Sequence, residues 1–558
     1  MPKPRRKDES PNANRRGMTL RELPALLPKQ ASFAAVIASL KRGQAGAIDG
    51  AWGSSAGLVV AALAQQIENE KPLLVVLPRM HDVDEFADDV FNLFGEAPAI
   101  FPAWESWPPD GSATDAVGGA RLRVLRALAS DKPPRVIVTS GPALMQPVPG
   151  QDEIAASSRT LRVGSDVDVE ELLRWLIERG FERVPAVELP GEVSVHGGIV
   201  DIFPSDSEDP LRLEFFGDEV ESLRRFDVES QRTIETLSEV SVTALASNGV
   251  GSLFQSGSSV GGSTSASDGR SEKNSRPLLA DHLLAGSWVA IIELPELIDE
   301  ARQYRERLSE TTGLAEIAQV IARLTDFANV TVAPIAADSF ETSCHLQIES
   351  IERFSGPKHE VLNELATVVG RDEQVLIACH NEGERERLWE LLLAARPADG
   401  DRLSAGQNMV LADRVMLCVG RVNRGFRLVA ERIIVLSDHE LFGRTTIARE
   451  TKRRRKVESR AIDSFLELNE GDVVVHLSHG IARYRGMKLM EKGDATEEHL
   501  TLEFANRTLI YVPVSLIHLV QKYVGGQRSS PELSTIGGTS WAKRKQKVAN
   551  AVADLATD

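Results

Sequence analysis

The chain has 558 residues, 42% of them hydrophobic and 26% charged, enough for several separately cored domains of ordinary globular composition. A formal net charge of −17 excludes an extended basic field for nucleic acid, so any phosphate contact must be local. Cys344, Cys379 and Cys418 lie far apart without a C-x-x-C, which excludes a zinc ribbon or disulfide framework and fits a reducing, cytoplasmic compartment; no apolar run reaches the roughly 18 residues of a membrane span.

Residues 1–27 are polar and basic without an apolar h-region, and are expected to form a disordered tail. Residues 28–158 alternate strand and helix. LLVVLP (73–78) is a short buried strand. DVDEFADDVFNLFG follows as a helix, with Asp82 as N-cap, apolar spacing at Val83, Phe86, Val90, Phe91 and Phe94, and Gly95 ending it. RLRVLRALAS and PRVIVTS add another helix and strand, so this part is expected to be βαβ units on a parallel sheet.

Residues 159–243 change character. The capped amphipathic helix DVEELLRWLIERG leads into GEVSVHGGIVDIFP, LRLEFFGDEVESLRRFD and TIETLSEVSVTAL, which alternate apolar and polar between Gly/Asp turns. That predicts a small α+β unit with an antiparallel sheet. In 244–340 a Ser/Gly-rich stretch (247–276) reads as a flexible insertion before α/β patterning resumes; 341–450 is a further α/β domain. A basic run from Lys452 to Lys456 marks a linker over 451–467. Residues 468–527 are all β in texture, fitting a small bent sheet or barrel, and TSWAKRKQKVANAVADLATD (538–558) begins a helix that is expected to be cut short.

One short stretch has the outline of a nucleotide site. DGAWGSSAGLVVAALAQQ (49–66) looks like a phosphate loop opening a helix. With Gly50 as first glycine and Gly53 in the turn, the second glycine, lysine and hydroxyl of G-x-x-x-x-G-K-[ST] fall on Ser55, Ala56 and Gly57. The lysine and magnesium-binding hydroxyl are gone, so a structural strand–turn–helix, with Ser54 or Ser55 as cap, is expected rather than a cofactor site. IIVLSDHELFGR (433–444) likewise has the outline of a magnesium-binding acidic strand but no working loop upstream. His476 and His479 lack the further ligands a zinc site needs, and no catalytic set stands out. On the surface, Arg212 stands close to Phe215 and Phe216; consecutive strand residues face opposite sides, so one phenylalanine is core and the other is free to dock.

GEVSVHGGIVDIFPSDSEDPLRLEFFGDEVESLRRFDVESQRT, from residue 191, resembles the UvrB-homology module of the transcription-repair coupling factor family. FPAWESWPPD and VIVTSGPALMQPV resemble that family's first domain, and GDVVVHLSHGIARYRGM with HLTLEFANRTLIYVPVSLIHLVQKYVGG resembles its CarD-like domain that contacts RNA polymerase. LSTIGGTSWAKRKQKVANAVADLA resembles the entry to its motor, so the likeness covers about residues 28–558, as an N-terminal portion.

The resemblance implies a multidomain α/β and α+β protein. Its parts are a degenerate helicase-type UvrB-like module, a further α/β domain, and a small all-β CarD/Tudor-like domain followed by a helix. It implies a module emptied of its nucleotide site that imitates UvrB's surface for UvrA. The implied UvrA contacts are His196, Arg212 and Phe216, with histidine standing where the family usually has arginine. The implied contacts to the polymerase β subunit, an edge-strand pairing plus a few side chains, lie near Met490, Ile510 and Tyr511. In the family, ATP and magnesium serve a superfamily 2 translocase motor that also holds the DNA; none of its motifs occurs here, so this chain is expected to bind partners without cofactor or catalysis. The alternatives are a UvrB-like excision-repair ATPase and a stand-alone CarD-like regulator.

Overall fold

The computed structural model describes residues 18–109, 115–245, 276–335, most of 342–394 and 414–441, and strand segments between 473 and 522. The Ser/Gly-rich stretch up to 275, the basic linker and the C-terminal helix lie outside the described residues. The chain divides into two compact units, residues 1–447 and 448–558.

In chain order the first unit begins with α1 (Ala31–Lys41), β1 (Gly46–Asp49), α2 (Ser54–Ala64), β2 (Leu73–Leu77), α3 (Val83–Phe94), β3 (Ala99–Phe101), α4 (Ala116–Leu128), β4 (Val136–Ser140), α5 (Gly141–Met145) and α6 (Gln151–Ala156). It continues with β5 (Ser158–Arg162), α7 (Val169–Ile177), β6 (Glu182–Arg183), β7 (Glu192–His196), β8 (Ile199–Ile202), β9 (Leu211–Phe216), β10 (Glu219–Phe226), β11 (Thr233–Thr236) and β12 (Glu239–Thr243). Then come β13 (Trp288–Ile292), α8 (Leu294–Arg307), α9 (Ile317–Leu324), β14 (Ala328–Ala333), β15 (Ser343–His345), β16 (Ile348–Ser350), β17 (Gln374–Cys379), α10 (Glu382–Ala394), β18 (Val415–Val419), β19 (Phe426–Leu428) and β20 (Ile433–Ser437). The second unit holds β21 (Val473–His476), β22 (Gly480–Lys492), β23 (Ala495–Glu503), β24 (Leu509–Pro513) and β25 (Val520–Lys522).

A seven-stranded, all-parallel sheet in the order β15-β1-β14-β13-β2-β4-β3 forms the first framework. Strands β2, β4 and β13 are buried at every position; β2 and β13 are unbroken apolar runs, as strands with both faces covered require, and β4 adds buried Thr139 and Ser140 to its apolar start. A second, mixed sheet (β16-β19-β20-β17-β18) pairs β17 in parallel with β18 and β20, while β19 runs antiparallel to its neighbours. One hydrophobic core joins the two sheets: α1, α2 and α3 lie in it together with Leu376, Phe426 and Val435 of the second sheet.

The last residues of the expected tail are folded. Leu20–Glu22 and Pro24–Lys29 form 3-10 turns, because Leu20, Leu23 and Leu27 are spaced to bury together in that core. Helix α3 starts at N-cap Asp82 and ends at Gly95 in the left-handed region (φ 98°). Its buried stripe is Val83, Phe86, Val90 and Leu93, whereas Phe91 is 40% exposed.

The α+β part builds a six-stranded sheet, β11-β10-β9-β8-β7-β6, antiparallel except for the short β6–β7 pair. The TIETLSEVSVTAL stretch is divided: β11 joins this sheet, while β12 pairs with β5 in a separate ribbon. Helix α7, capped by the Asp168 carboxylate at the Glu170 and Glu171 amides, covers the inner face through Leu172, Trp175 and Leu176. The loop after β8 is held against α4: Arg123 Nε donates to the Asp206 carbonyl (3.1 Å) and Arg126 pairs with the Asp206 carboxylate. Gly119 makes that approach possible, since a Cβ there would lie 2.1 Å from the Ser205 carbonyl oxygen.

Residues 473–522 form a five-stranded antiparallel sheet, β24-β23-β22-β21-β25, with a register shift between Tyr484 and Met487 that bends it. Its core is Val474, Ala482, Tyr484, Leu500, Leu502, Phe504 and Val512.

Gly119→Ala is expected to destabilise the first unit by about 2 kcal/mol, because the obstructing atom is backbone and cannot rotate away. Thermal denaturation checks this, and an unshifted midpoint contradicts the close approach of α4 to Ser205.

Candidate partner interfaces and a filled phosphate loop

The turn at 50–57 is closed by the protein itself. Gly53, not Ser54 or Ser55, is the N-cap of α2; its φ of 52° and ψ of −133° suit glycine, and no side chain caps the helix. The serines are engaged elsewhere. Ser55 Oγ donates to the Trp52 carbonyl at 2.7 Å and accepts from the Trp52 amide. Ser54 Oγ donates to Asp89 Oδ2 at 2.7 Å and accepts from the Arg424 amide at 2.9 Å. The other Asp89 oxygen accepts from the Asn423 amide (3.0 Å), while Asn92 Oδ1 accepts from the Arg421 amide.

Loop 421–424 of the second sheet therefore lies where a phosphate would enter. A Cβ on Gly50 would meet the Leu346 carbonyl oxygen at 2.0 Å, and one on Gly57 would meet Asp89 Cβ at 3.2 Å. Ala56, at the lysine position, is buried, as is every other residue of α2. A magnesium triphosphate does not fit these residues: no cation stands at position 56 and the helix N-terminus has no room. Burial raises the Asp89 pKa to about 7, partly offset by the hydrogen bonds from Ser54 and Asn423.

In the second α/β sheet, Asp438 and His439 lie outside the described residues. Glu440 is a structural acceptor, taking hydrogen bonds from the Gly425 amide (2.7 Å) and the Ser437 amide (3.1 Å). His479 also lies outside the described residues.

The structure brings His196, Arg212 and Phe216 to one face of the six-stranded sheet. Along β9, Leu211, Leu213 and Phe215 pack inward, leaving Arg212, Glu214 and Phe216 on the outer face. Phe216 is thus the free phenylalanine, 80% exposed. The register places Ser194, Asp201, Arg212 and Arg224 in one cross-strand row, and His196, Ile199, Glu214 and Ser222 in the next. Exposed His196 sits with Nε2 against the Pro185 carbonyl and 2.9 Å from Ser194 Oγ.

Arg212 is more committed than the sequence suggested. Its Nε and Nη2 grip both Asp201 oxygens at 2.8 and 2.7 Å, and Nη2 also donates to Gln231. Its guanidinium lies 4.1 Å over the Phe226 ring, and hydrogen bonding to Asp201 holds its pKa above the ordinary value. Such a residue both stabilises the sheet and presents a charged edge.

In the second unit, Ile510 and Tyr511 lie on β24, one of the two outermost strands of its sheet among the described residues, opposite Leu502 and Thr501. Ile510 packs against the core, so what it offers an approaching strand is backbone. Tyr511 is half-buried, with Lys488 Nζ 5.4 Å from its ring centre. Met490 is in β22, opposite Glu497; its side chain lies outside the described residues. The structure thus places Ile510 and Tyr511 together and Met490 on a strand that is not their neighbour.

These features define a class: an α/β module carrying an interaction sheet, with a small β domain beyond it. A family model described as UvrB interaction domain matches residues 160–247, and one described as CarD-like/TRCF RID domain matches residues 468–524. The chain as a whole is similar to transcription-repair-coupling factors. That of Staphylococcus haemolyticus is 27% identical over 550 residues, covering 88% of this chain and 46% of the relative. That of Bacillus subtilis is 25% identical over 565 residues, covering 91% and 47% respectively. The chain therefore spans about half the length of the curated relatives it matches.

The sequence reading missed Asp89, Asn423 and Asp201, and took Glu440 only as part of the outline of a magnesium-binding strand. Asp89 left a signal: a carboxylate within the buried stripe of α3, between Phe86 and Leu93, where an apolar residue belongs. Asn423 left none, because its contribution is a backbone amide brought from more than 300 positions away.

Two outcomes follow for the filled loop. Ala56→Lys with Gly57→Ser is expected to lower stability by about 3 kcal/mol without creating nucleotide binding, since the new ammonium is buried without a partner. A fluorescent ATP analogue titrated into the variant checks this. The pKa of Asp89, raised above its unfolded value, makes its contribution to stability fall as pH rises from about 4 through about 7. Urea unfolding of the wild type against Asp89→Asn is expected to show the wild type losing ground between pH 5 and pH 8; a pH-independent difference contradicts a buried, neutral Asp89.

Proposed function

We propose that this chain is the partner-docking portion of a transcription-repair coupling protein. The six-stranded sheet captures UvrA through His196, Arg212 and Phe216. The β domain engages the polymerase β subunit by adding a strand at the β24 edge, with Tyr511 and the Met490 region as flanking contacts. The first α/β module is a UvrB-like helicase-type scaffold, degenerate at its nucleotide site, and the domain over 341–450 supplies the loop that fills that site. DNA movement with ATP and magnesium is assigned to motor motifs of the longer relatives, and not to these residues.

The observation that carries this reading is the pairing in one chain of an interaction sheet with an exposed Phe216 and a β domain with an outer strand, beside a phosphate loop filled by Asp89 and loop 421–424. An excision-repair ATPase needs that loop open and a lysine at position 56. A stand-alone CarD-like regulator accounts for the β domain only.

Phe216→Ala is expected to weaken UvrA binding about 10- to 100-fold while moving the melting temperature little, because the ring is already solvent-exposed. Arg212→Glu is a poorer probe, since it sets a second carboxylate against Asp201 and disturbs the sheet. Tyr511→Ala is expected to weaken binding to the polymerase β subunit several-fold and leave UvrA affinity unchanged. Calorimetric titration of both partners on both variants checks the pair; loss of both affinities in either variant contradicts separate docking sites.

A further inference from the structure

The outer face of the six-stranded sheet carries a charge balance opposite to what its arginines suggest. Arg212 is paired with Asp201, and Arg224 with Glu214. Both arginine charges are therefore largely neutralised within the sheet. At the Phe216 end the balance is different. The β9–β10 hairpin turns at Gly217–Asp218 and sets Phe216 directly opposite Glu219. Glu219 is bridged to Asp166, which follows the turn after β5. Asp166, Asp218, Glu219 and Glu221 are all exposed, and none is in an ion pair among the described residues. Between the hairpin and that turn lies an open cleft of about 260 Å3, lined by Val163, Gly164, Phe216, Glu219, Val220 and Glu221. Its apolar rim is exposed, Phe216 at 80% and Val163 at 43%.

A cleft of mixed lining, with Phe216 and Val163 on one side and carboxylates without ion pairs among the described residues on the other, suits a side chain with a long aliphatic stem and a cationic head. We infer that the partner on this face presents a basic segment, one of whose lysines or arginines lies along Phe216 and Val163 with its charge at Glu219 and Glu221. This rests on the reading of the sheet as the UvrA-docking surface, and it supplies the chemistry of the UvrA segment received there. Such a contact adds attraction beyond the ring of Phe216 itself. It also makes association steeper in salt, since exposed rim charges act mainly through encounter rate and screening.

The test is the binding kinetics of the full chain with UvrA of the same organism, at low and high salt, for wild type, Glu219→Gln with Glu221→Gln, and Glu219→Lys with Glu221→Lys. The expected result is about a threefold loss of affinity for the glutamine pair and tenfold or more for the lysine pair at low salt, carried mainly by the association rate, with a flattened salt dependence. The glutamine pair keeps the size and polarity of both side chains, so it carries the test if the lysine pair fails to fold. Wild-type binding that both pairs leave unchanged, or that the lysine pair tightens, overturns the inference and leaves the UvrA reading standing. A wild-type chain that does not bind UvrA overturns both.

Discussion

Helix α2 lies with its whole circumference buried between the seven-stranded parallel sheet and the second, mixed sheet. Its apolar side chains contribute roughly 2 kcal/mol each to that arrangement. At its N-terminus the Ser55 and Ala56 amides bond the Trp52 and Gly53 carbonyls, and what must still be satisfied is the buried Ser54 hydroxyl. The Asp89 carboxyl and the amides of Asn423 and Arg424 do this by closing on one another through Ser54. In a nucleotide-binding protein the same end of the same helix is left open, and the phosphate supplies the acceptor. Here the Asp89 carboxyl accepts from the Ser54 hydroxyl and the Asn423 amide instead, and so ties loop 421–424 to the first turn of α2. Filling the turn at 50–57 and joining the sheets are done by the same contacts.

Helix α4 packs on the other side of the parallel sheet from α2, and its Arg123 and Arg126 hold the loop at Asp206. With Gly119 allowing the Ser205 carbonyl to approach, the six-stranded sheet is pinned at the end of β8. Arg212, one strand away, is pinned in turn by Asp201 of β8. The outer face is therefore presented with its side chains already ordered, which reduces the entropy lost when a partner docks. Phe216, at the hairpin tip and away from this network, is the one large apolar group of β9 left open to solvent.

Much of this was legible in the residues. The apolar run at 73–78 marked a buried strand, PRVIVTS a further strand of a parallel sheet, and the alternation of LRLEFF a half-exposed one. Gly95 ended α3 and the Asp168 carboxylate capped α7, as their positions suggested. Three errors have physical causes. Ser54 and Ser55 have the side chains of helix caps, but the backbone at Gly53 adopts a conformation that suits glycine, and that decides where the helix begins. Leu20, Leu23 and Leu27 were overlooked because a basic tail precedes them, although their spacing is that of a buried turn. Phe91 was assigned to the buried stripe of α3 when Leu93 has that place; the two flank Val90 on opposite sides, and periodicity alone does not say to which side the stripe extends.

The candidate sites were legible to different depths for a reason that concerns how each one binds. A docking surface of side chains, like the Phe216 face, leaves its identity in the sequence, since alternate residues of one strand must be polar or free while their neighbours are core. A docking surface of backbone, like the outer strand β24, leaves only the fact of an edge, because Ile510 serves it while facing inward. The turn at 50–57 was legible in half: Ala56 at the lysine position pointed to a structural turn, but the groups that close it went unread. Closure came from Asn423 and Arg424 through amides that any residue but proline would provide. Wherever function rests on main-chain groups, residue identity is a weak witness and position in the fold decides.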